Sequence, residues 1–225
     1  MEEEMKKYLS FGAGVNSTAL LLLLTDQGED FETIFVNHGG DYPETYEYLG
    51  YLRDKGFEIT EIIPDVQGCH TILEYCYKYK IIPVKMWRWC TSKFKIRPIY
   101  EYIEKPCEMM LGISSDERKR RIIESRDSDI KNIFPLYEAG ITRRHCIKII
   151  KDHNLKVPRP SGCFFCPFMT KKNAMELYRN YPELYRKVID LERNCNKPGY
   201  HLKQGIPFDK FAEADVPPLT GFLKK

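Results

Sequence analysis

The stretch "YLSFGAGVNSTALLLLL", residues 8–24, decides how this chain is read. It runs from a hydrophobic, strand-like segment through Gly12 and Gly14 into a leucine-rich helical segment. Glycines at such a turn admit positive φ and let backbone N–H groups approach a ligand with no Cβ in the way. Asn16 or Ser17 can cap the helix that follows, whose N-terminus carries partial positive charge. With the hydroxyls of Ser17 and Thr18, the turn forms a cradle suited to phosphate. A plain strand-to-helix connection is the competing reading.

Outward from that turn, segment types alternate. Strand-like stretches lie at 7–11, 32–37, 58–63, 108–113 and 132–136, with helical patterns at 17–27, 43–55, 68–79, 94–105 and 116–124 between them. This order predicts an α/β fold: a doubly wound, mainly parallel five-stranded sheet covered on both faces. Such sheets take ligands beyond the carboxyl ends of their strands, where strand order reverses. After Pro135 the character changes. A helix is expected at 142–153 with Thr142 as its cap, then the loop "VPRPSGCFFCPF", then one long amphipathic helix at 171–193. The organisation expected is a nucleotide-binding α/β domain over 1–140 and a small Cys-rich helical lobe over 141–225.

The 225 residues, 43% hydrophobic and 30% charged, suit a soluble globular chain with a real core. A net charge of +3 is too small to establish a nucleic-acid partner. The start "MEEEMKK" lacks the basic-then-apolar order of a signal peptide, and the longest apolar run, 19–24, is far short of a membrane span. A cytoplasmic location is therefore expected, with no membrane partner. In a reducing compartment, eight cysteines point to metal or catalysis rather than disulfides. Cys69, Cys76, Cys107 and Cys195 read as buried small hydrophobes.

Three phosphate-binding patterns compete for the opening turn. A Walker loop needs Gly-Lys-Ser/Thr, and no lysine is present. A dinucleotide fingerprint needs an acid ending the second strand, where this chain has Asn37 and His38. "SFGAGVNST" instead resembles the pyrophosphate loop (PP-loop) of the adenine-nucleotide α-hydrolases, Ser-Gly-Gly-x-Asp-Ser. Gly14, Ser17 and Thr18 match; Gly12, Ala13 and Asn16 replace Ser, Gly and Asp. "NHGGDYPETYEYL" is similar to the "DTG…PET" segment of phosphoadenosine-phosphosulfate (PAPS) reductases, and "LGISSDERKRR" to the segment after their fourth strand. The resemblance implies ATP or another adenine nucleotide, with Mg²⁺. Its contacts would be Ser10, Phe11, Gly12, Ala13, Gly14, Asn16, Ser17, Thr18, Asn37, His38, Gly39, Glu44, Thr45, Gly112, Ser114, Asp116, Glu117 and Arg121.

Cys163 and Cys166 form a Cys-x-x-Cys pair in a Pro-bounded loop, a spacing that binds zinc or an iron–sulfur cluster. "WCTSKFKIRPI" resembles the Cys-Cys-x-x-Arg-Lys-x-x-Pro-Leu run of sulfonucleotide reductases that carry a [4Fe–4S] cluster. Cys90 takes the first cysteine, Lys95 the lysine and Pro98 the proline; Thr91 and Phe94 depart from the run. Three ligands and one vacancy result. Cys146 is the candidate for the vacancy and His145 its rival; a core position is the other reading of Cys146.

The chain thus resembles the PAPS reductase-like family of the adenine-nucleotide α-hydrolase superfamily. That resemblance implies cleavage of ATP between its α- and β-phosphates, with Lys93, Lys95 and Arg97 stabilising developing charge. Sulfur handling at the cluster, on a tRNA or DNA acceptor and with a sulfur-donor protein, is the expected use. Sulfonucleotide reduction is the alternative; the ending "DVPPLTGFLKK" lacks the Glu-Cys-Gly-Leu-His segment of those reductases. A zinc-clipped, non-catalytic module binding nucleic acid or protein is the third reading. Trp87, Arg88 and Trp89 offer stacking or core residues in either case.

Overall fold

The computed structural model describes residues 5–117, 125, 127–197, 199–203 and 206–213. Five strands form one sheet: β1 (Lys6–Ser10), β2 (Glu32–Val36), β3 (Thr60–Ile62), β4 (Cys107–Leu111) and β5 (Ile130–Ile133). Their order is β3-β2-β1-β4-β5, and every pairing is parallel. The expected doubly wound α/β sheet is therefore present. Tyr8 of the central strand pairs with Glu32 on one side and Met109 on the other. Strand order reverses between β1 and β4, so the loops leaving their carboxyl ends frame the crevice where such folds bind ligands.

Helices α1 (Val15–Asp26) and α2 (Pro43–Asp54) follow β1 and β2. Helix α1 is buried almost all round, which is why its leucines run without a polar stripe. The helix expected from residue 68 starts only at α3 (Ile72–Tyr79), because Gly68 takes φ +74° and Val66 and Cys69 bridge across a tight turn. The segment expected at 94–105 is three pieces: α4 (Trp89–Thr91), a π-helical turn over Ser92–Ile96, and α5 (Arg97–Tyr102). Pro98 has no N–H to close an α-helical bond onto the Phe94 carbonyl, and the turn widens. The helix expected at 116–124 lies mostly outside the described residues; Asp116 itself sits in a turn.

Beyond the sheet come α6 (Pro135–Glu138), α7 (Arg143–Asp152), α8 (Lys171–Asn180), α9 (Pro182–Asn194) and α10 (Phe208–Glu213). The single helix expected at 171–193 is two. Tyr181 leaves the helical region at φ −135°, ψ 60°, as a residue preceding proline is pushed to do.

Two main cores hold these layers. Leu9, Leu20, Leu22, Leu52, Cys146 and Ile150 share one, so α7 lies against α1. Phe94, Phe165, Leu177, Val188 and Leu191 share another with Ile72 and Cys76 of α3. The division expected at residue 141 thus runs between α6 and α7, while the cores draw on both sides of it. Among the described residues no helix is long and apolar enough to cross a membrane.

Candidate functional site

The opening turn is held tightly on three sides. Ala13 adopts φ +49°, and Gly14 caps α1 in an extended conformation. Gly14 N–H donates to Ser17 Oγ at 3.2 Å, and Ser17 Oγ donates back to the Gly14 carbonyl at 3.1 Å. Just past the end of β4, Gly112 approaches so closely that a Cβ there would lie 2.9 Å from the Ser17 backbone. From the cysteine loop, Ser161 Oγ would lie 2.6 Å from a Cβ on Gly14. Both glycines are needed because another chain segment occupies the side-chain space. The first-turn amides of α1 open at this crevice, as helix N-termini do.

Asn16 sits where the resemblance calls for an aspartate, and its neighbours explain the change. Its Nδ2 donates to Glu117 Oε2 at 2.8 Å and to Ser114 Oγ at 3.0 Å. Arg143 Nη1 donates to Asn16 Oδ1 at 3.4 Å, and Arg143 N–H to Asp116 Oδ1 at 3.2 Å. An aspartate at 16 would set one carboxylate against another; the amide lets Glu117 supply the negative charge instead. Hydrogen bonding from Ser114 first, and Arg143 further, hold Asp116 below the ordinary carboxylate range.

The segment after β2 joins this turn to the thiols. Asp41 and Cys163 form an antiparallel bridge, and Phe164 N–H donates to the Gly40 carbonyl at 3.0 Å. The Phe165 ring would meet a Cβ on Gly40 at 2.9 Å. His38 is buried, with Nε2 3.2 Å from Asp41 Oδ2 and 3.9 Å from Cys163 Sγ. Gly40 N–H donates to His38 Nδ1 at 3.2 Å, which leaves the proton of the neutral ring on Nε2, facing Asp41. Burial pushes the Asp41 pKa up, but His38 and Lys95 more than offset it and hold the carboxyl below its usual range.

Cys90, Cys163 and Cys166 lie within electrostatic reach of one another here, though among the described residues only Cys163 meets other ligand atoms closely. Burial raises the Cys163 thiol most, and that of Cys90 too; each also feels the Cys166 sulfur. Lys95 stands among them. Burial works against its charge, yet Cys163, Asp41, Cys90 and Cys166 hold its pKa above that of free lysine. Among the described residues, His38, Asp41 and Cys163 offer ligand atoms that all lie within 4.8 Å of one another. A metal here would be held by Cys163 with His38 and Asp41, whose ligand atoms meet, and its binding would displace the thiol proton.

Other expected residues lie elsewhere. Cys146 is fully buried in the α1–α7 core, its surroundings Arg143, Asp116 and Glu117 rather than the three thiols. His145 caps its own helix. Lys93 donates to Tyr75 Oη at 2.5 Å, and Arg97 pairs with Glu101 on an exposed face. Glu44 is held by Arg159 and Tyr181, and Thr45 is buried in the first turn of α2. Phe11 donates its N–H to the Ile34 carbonyl and, like Ser10, belongs to the sheet edge of the crevice. Asn37 Oδ1 accepts from Gly39 N–H at 3.1 Å, shaping the turn at φ +68°. Arg121 lies outside the described residues. Sequence reading missed Asp41, Arg143, Arg159 and Ser161; only Asp41, beside His38-Gly39-Gly40, carried a local signal.

A five-stranded parallel α/β sheet with a glycine turn at its switch point places the chain among the doubly wound α/β proteins that bind ligands there. Residues 6–159 match the phosphoadenosine phosphosulfate reductase domain, and the chain belongs to that family. Its curated relatives include the uncharacterized proteins MJ0973 and MJ0066 of Methanocaldococcus jannaschii. They are 26% and 25% identical, over 96% and 82% of this chain. The chain spans about half the length of these relatives, 54% and 41%. The fold is similar to that of phosphoadenylyl-sulfate reductase from Candida auris, solved as a phosphate complex. The likeness has a TM-score of 0.52 and 14% identity, and it covers 68% of this chain and 75% of that one.

Proposed function

We propose that this chain binds ATP at the turn of residues 12–18 and uses it to activate an acceptor beside the Cys90–Cys163–Cys166 centre for sulfur insertion. An acceptor oxygen attacks the α-phosphorus and pyrophosphate leaves. A sulfide then attacks the adenylated carbon, and AMP departs with the oxygen, so the exchange is redox-neutral. A nucleic acid, tRNA or DNA, is the acceptor class, and a sulfur-donor protein supplies the sulfide.

The observation that carries this reading is the approach of Ser161 to Gly14, two residues before Cys163, with the Asp41–Cys163 bridge beside it. Together they bring the cysteine loop against the opening turn, which supports reading cradle and thiols as one site. In this reading the α1 amides and Ser17 hold the phosphates, Thr18 being fully buried against Tyr48, and Arg143 faces the charge that develops on them. Glu117, positioned by Asn16, takes the Mg²⁺ role left open by the missing aspartate. Lys95 offsets the charge of the thiolates. A [4Fe–4S] cluster on three thiolates would leave one iron free to carry sulfide. This reading leaves Cys146, set in the α1–α7 core, out of the ligand set, and the His38 proton faces Asp41.

The test is anaerobic purification followed by metal analysis and an ATP assay with transfer RNA. The reading expects a brown protein with about four irons per chain and RNA-dependent release of AMP and pyrophosphate. One zinc without iron, and ATP left intact, would refute it. Sulfite released from PAPS or adenylylsulfate would identify a sulfonucleotide reductase instead.

A further inference from the structure

We propose that the exposed face carrying Lys85, Trp87, Arg88, Phe168, Lys197 and Tyr200 binds a single-stranded nucleic-acid segment and presents it to the thiol centre. This deepens the preceding reading and rests on it for the purpose of binding, though not for the binding itself.

Large apolar side chains are bare on this face: Met86 is 82% exposed, Trp87 62% and Phe168 52%. Each bare ring carries a cation. Lys85 Nζ and the Arg88 guanidinium lie 5.7 and 5.5 Å from the Phe168 ring centre. Lys197 Nζ lies 5.8 Å from the Trp87 ring and 5.4 Å from that of Tyr200. Trp87, Lys197 and Tyr200 also line a small cavity of about 80 Å³, floored by Ile82 and Cys195.

The choice of partner follows from that interleaving. Protein-binding patches are depleted in lysine towards their centres. Single-stranded nucleic acid asks for the opposite: aromatic faces on which bases stack, set in a cationic groove that tracks the backbone. A duplex hides its base faces inside the stack, so rings like these favour an unpaired strand or a loop.

The face also adjoins the reacting centre. Arg88 precedes Cys90 by two residues, and Phe168 follows Cys166 by two. Lys203 Nζ donates to the Pro167 carbonyl at 3.1 Å, fastening the C-terminal segment to the cysteine loop. A strand lying over Trp87 and Phe168 would therefore pass the edge of the thiols.

The test is fluorescence anisotropy on the full chain without ATP, using a labelled single-stranded RNA oligonucleotide and the matching duplex. We expect the single strand to bind more tightly, with affinity falling as salt rises. Trp87→Ala and Phe168→Ala should each weaken binding about tenfold, and Lys197→Ala should flatten the salt dependence. These exposed positions should leave the thermal melt unchanged. Equal affinity for duplex, no binding at low salt, or indifference to the ring substitutions would overturn the proposal. So would a self-association that Trp87→Ala abolishes, since the face would then belong to a second copy of the chain. With ATP absent, failed RNA binding leaves the nucleotide reading intact, and failed ATP turnover leaves this one intact.

Discussion

Ser161 Oγ occupies the space that a side chain on residue 14 would need: a Cβ added to Gly14 would lie 2.6 Å from it, and 3.2 Å from Ser161 Cβ. The cysteine loop therefore closes directly onto the opening turn. Gly14→Ala should displace that loop at a cost of about 1–3 kcal/mol and weaken ATP binding at least tenfold by calorimetry. Adding Ser161→Gly should restore part of both losses. Additive effects in this double-mutant cycle would show that the two residues do not touch.

The thiols make a sharper prediction. Cys90→Ser, Cys163→Ser and Cys166→Ser should each lose bound metal. Cys146→Ala should keep it, while lowering stability by about 1 kcal/mol through a small cavity in the α1–α7 core. Metal content and thermal melts on the four variants read this directly. Loss of metal from the Cys146 variant, with its fold intact, would return that residue to the ligand set.

Arg159 ties three segments together. Its guanidinium lies 3.8 Å from the Tyr42 ring centre and donates to Tyr181 Oη at 2.8 Å and Glu176 Oε1 at 2.9 Å. It also reaches Glu44 in the first turn of α2. Arg159→Ala should cost about 1–3 kcal/mol in urea unfolding. Arg159→Lys should recover little, because an ammonium lacks the planar fork that stacks and donates at once. Full rescue by lysine would reduce the role to charge alone.

A pH-dependent contact joins the ends of α7 and α1, where His153 Nε2 lies 3.0 Å from Asp26 Oδ2. The Ile149 carbonyl raises the His153 pKa most; burial opposes, and Asp26 adds to the rise. A raised folded pKa means the contribution is fully present below the ordinary histidine value of about 6.5 and is lost as pH climbs through the folded value. His153→Gln should therefore destabilise by less than about 1 kcal/mol near pH 6 and hardly at all near pH 9. Comparing melts of the two proteins across that range isolates the term, and a difference that widened with pH would sink it.

How much of this was legible beforehand follows from what each residue depends on. The strand–helix alternation and the turn at Gly12 and Gly14 are local patterns, so the sheet and its crevice could be read directly. The break at Tyr181 was missed because the apolar rhythm runs on through 171–193, although Pro182 is a local signal against a continuous helix. Cys146 misleads because a buried helix position and a metal ligand look identical in one dimension. Asn16 could be understood only once Glu117, about a hundred residues on, was seen at 2.8 Å. The Asp41–Cys163 bridge joins segments even farther apart, and nothing in either stretch announces its partner.

Whether phosphate cradle and thiols act as one site is best measured by the electron paramagnetic resonance of the reduced, anaerobically purified protein, titrated with ATP. Nucleotide seated against Ser161 should shift the signal of the metal centre saturably, and Gly14→Ala should abolish the shift. A spectrum unmoved by bound ATP, or a colourless protein with no signal at all, would contradict the account.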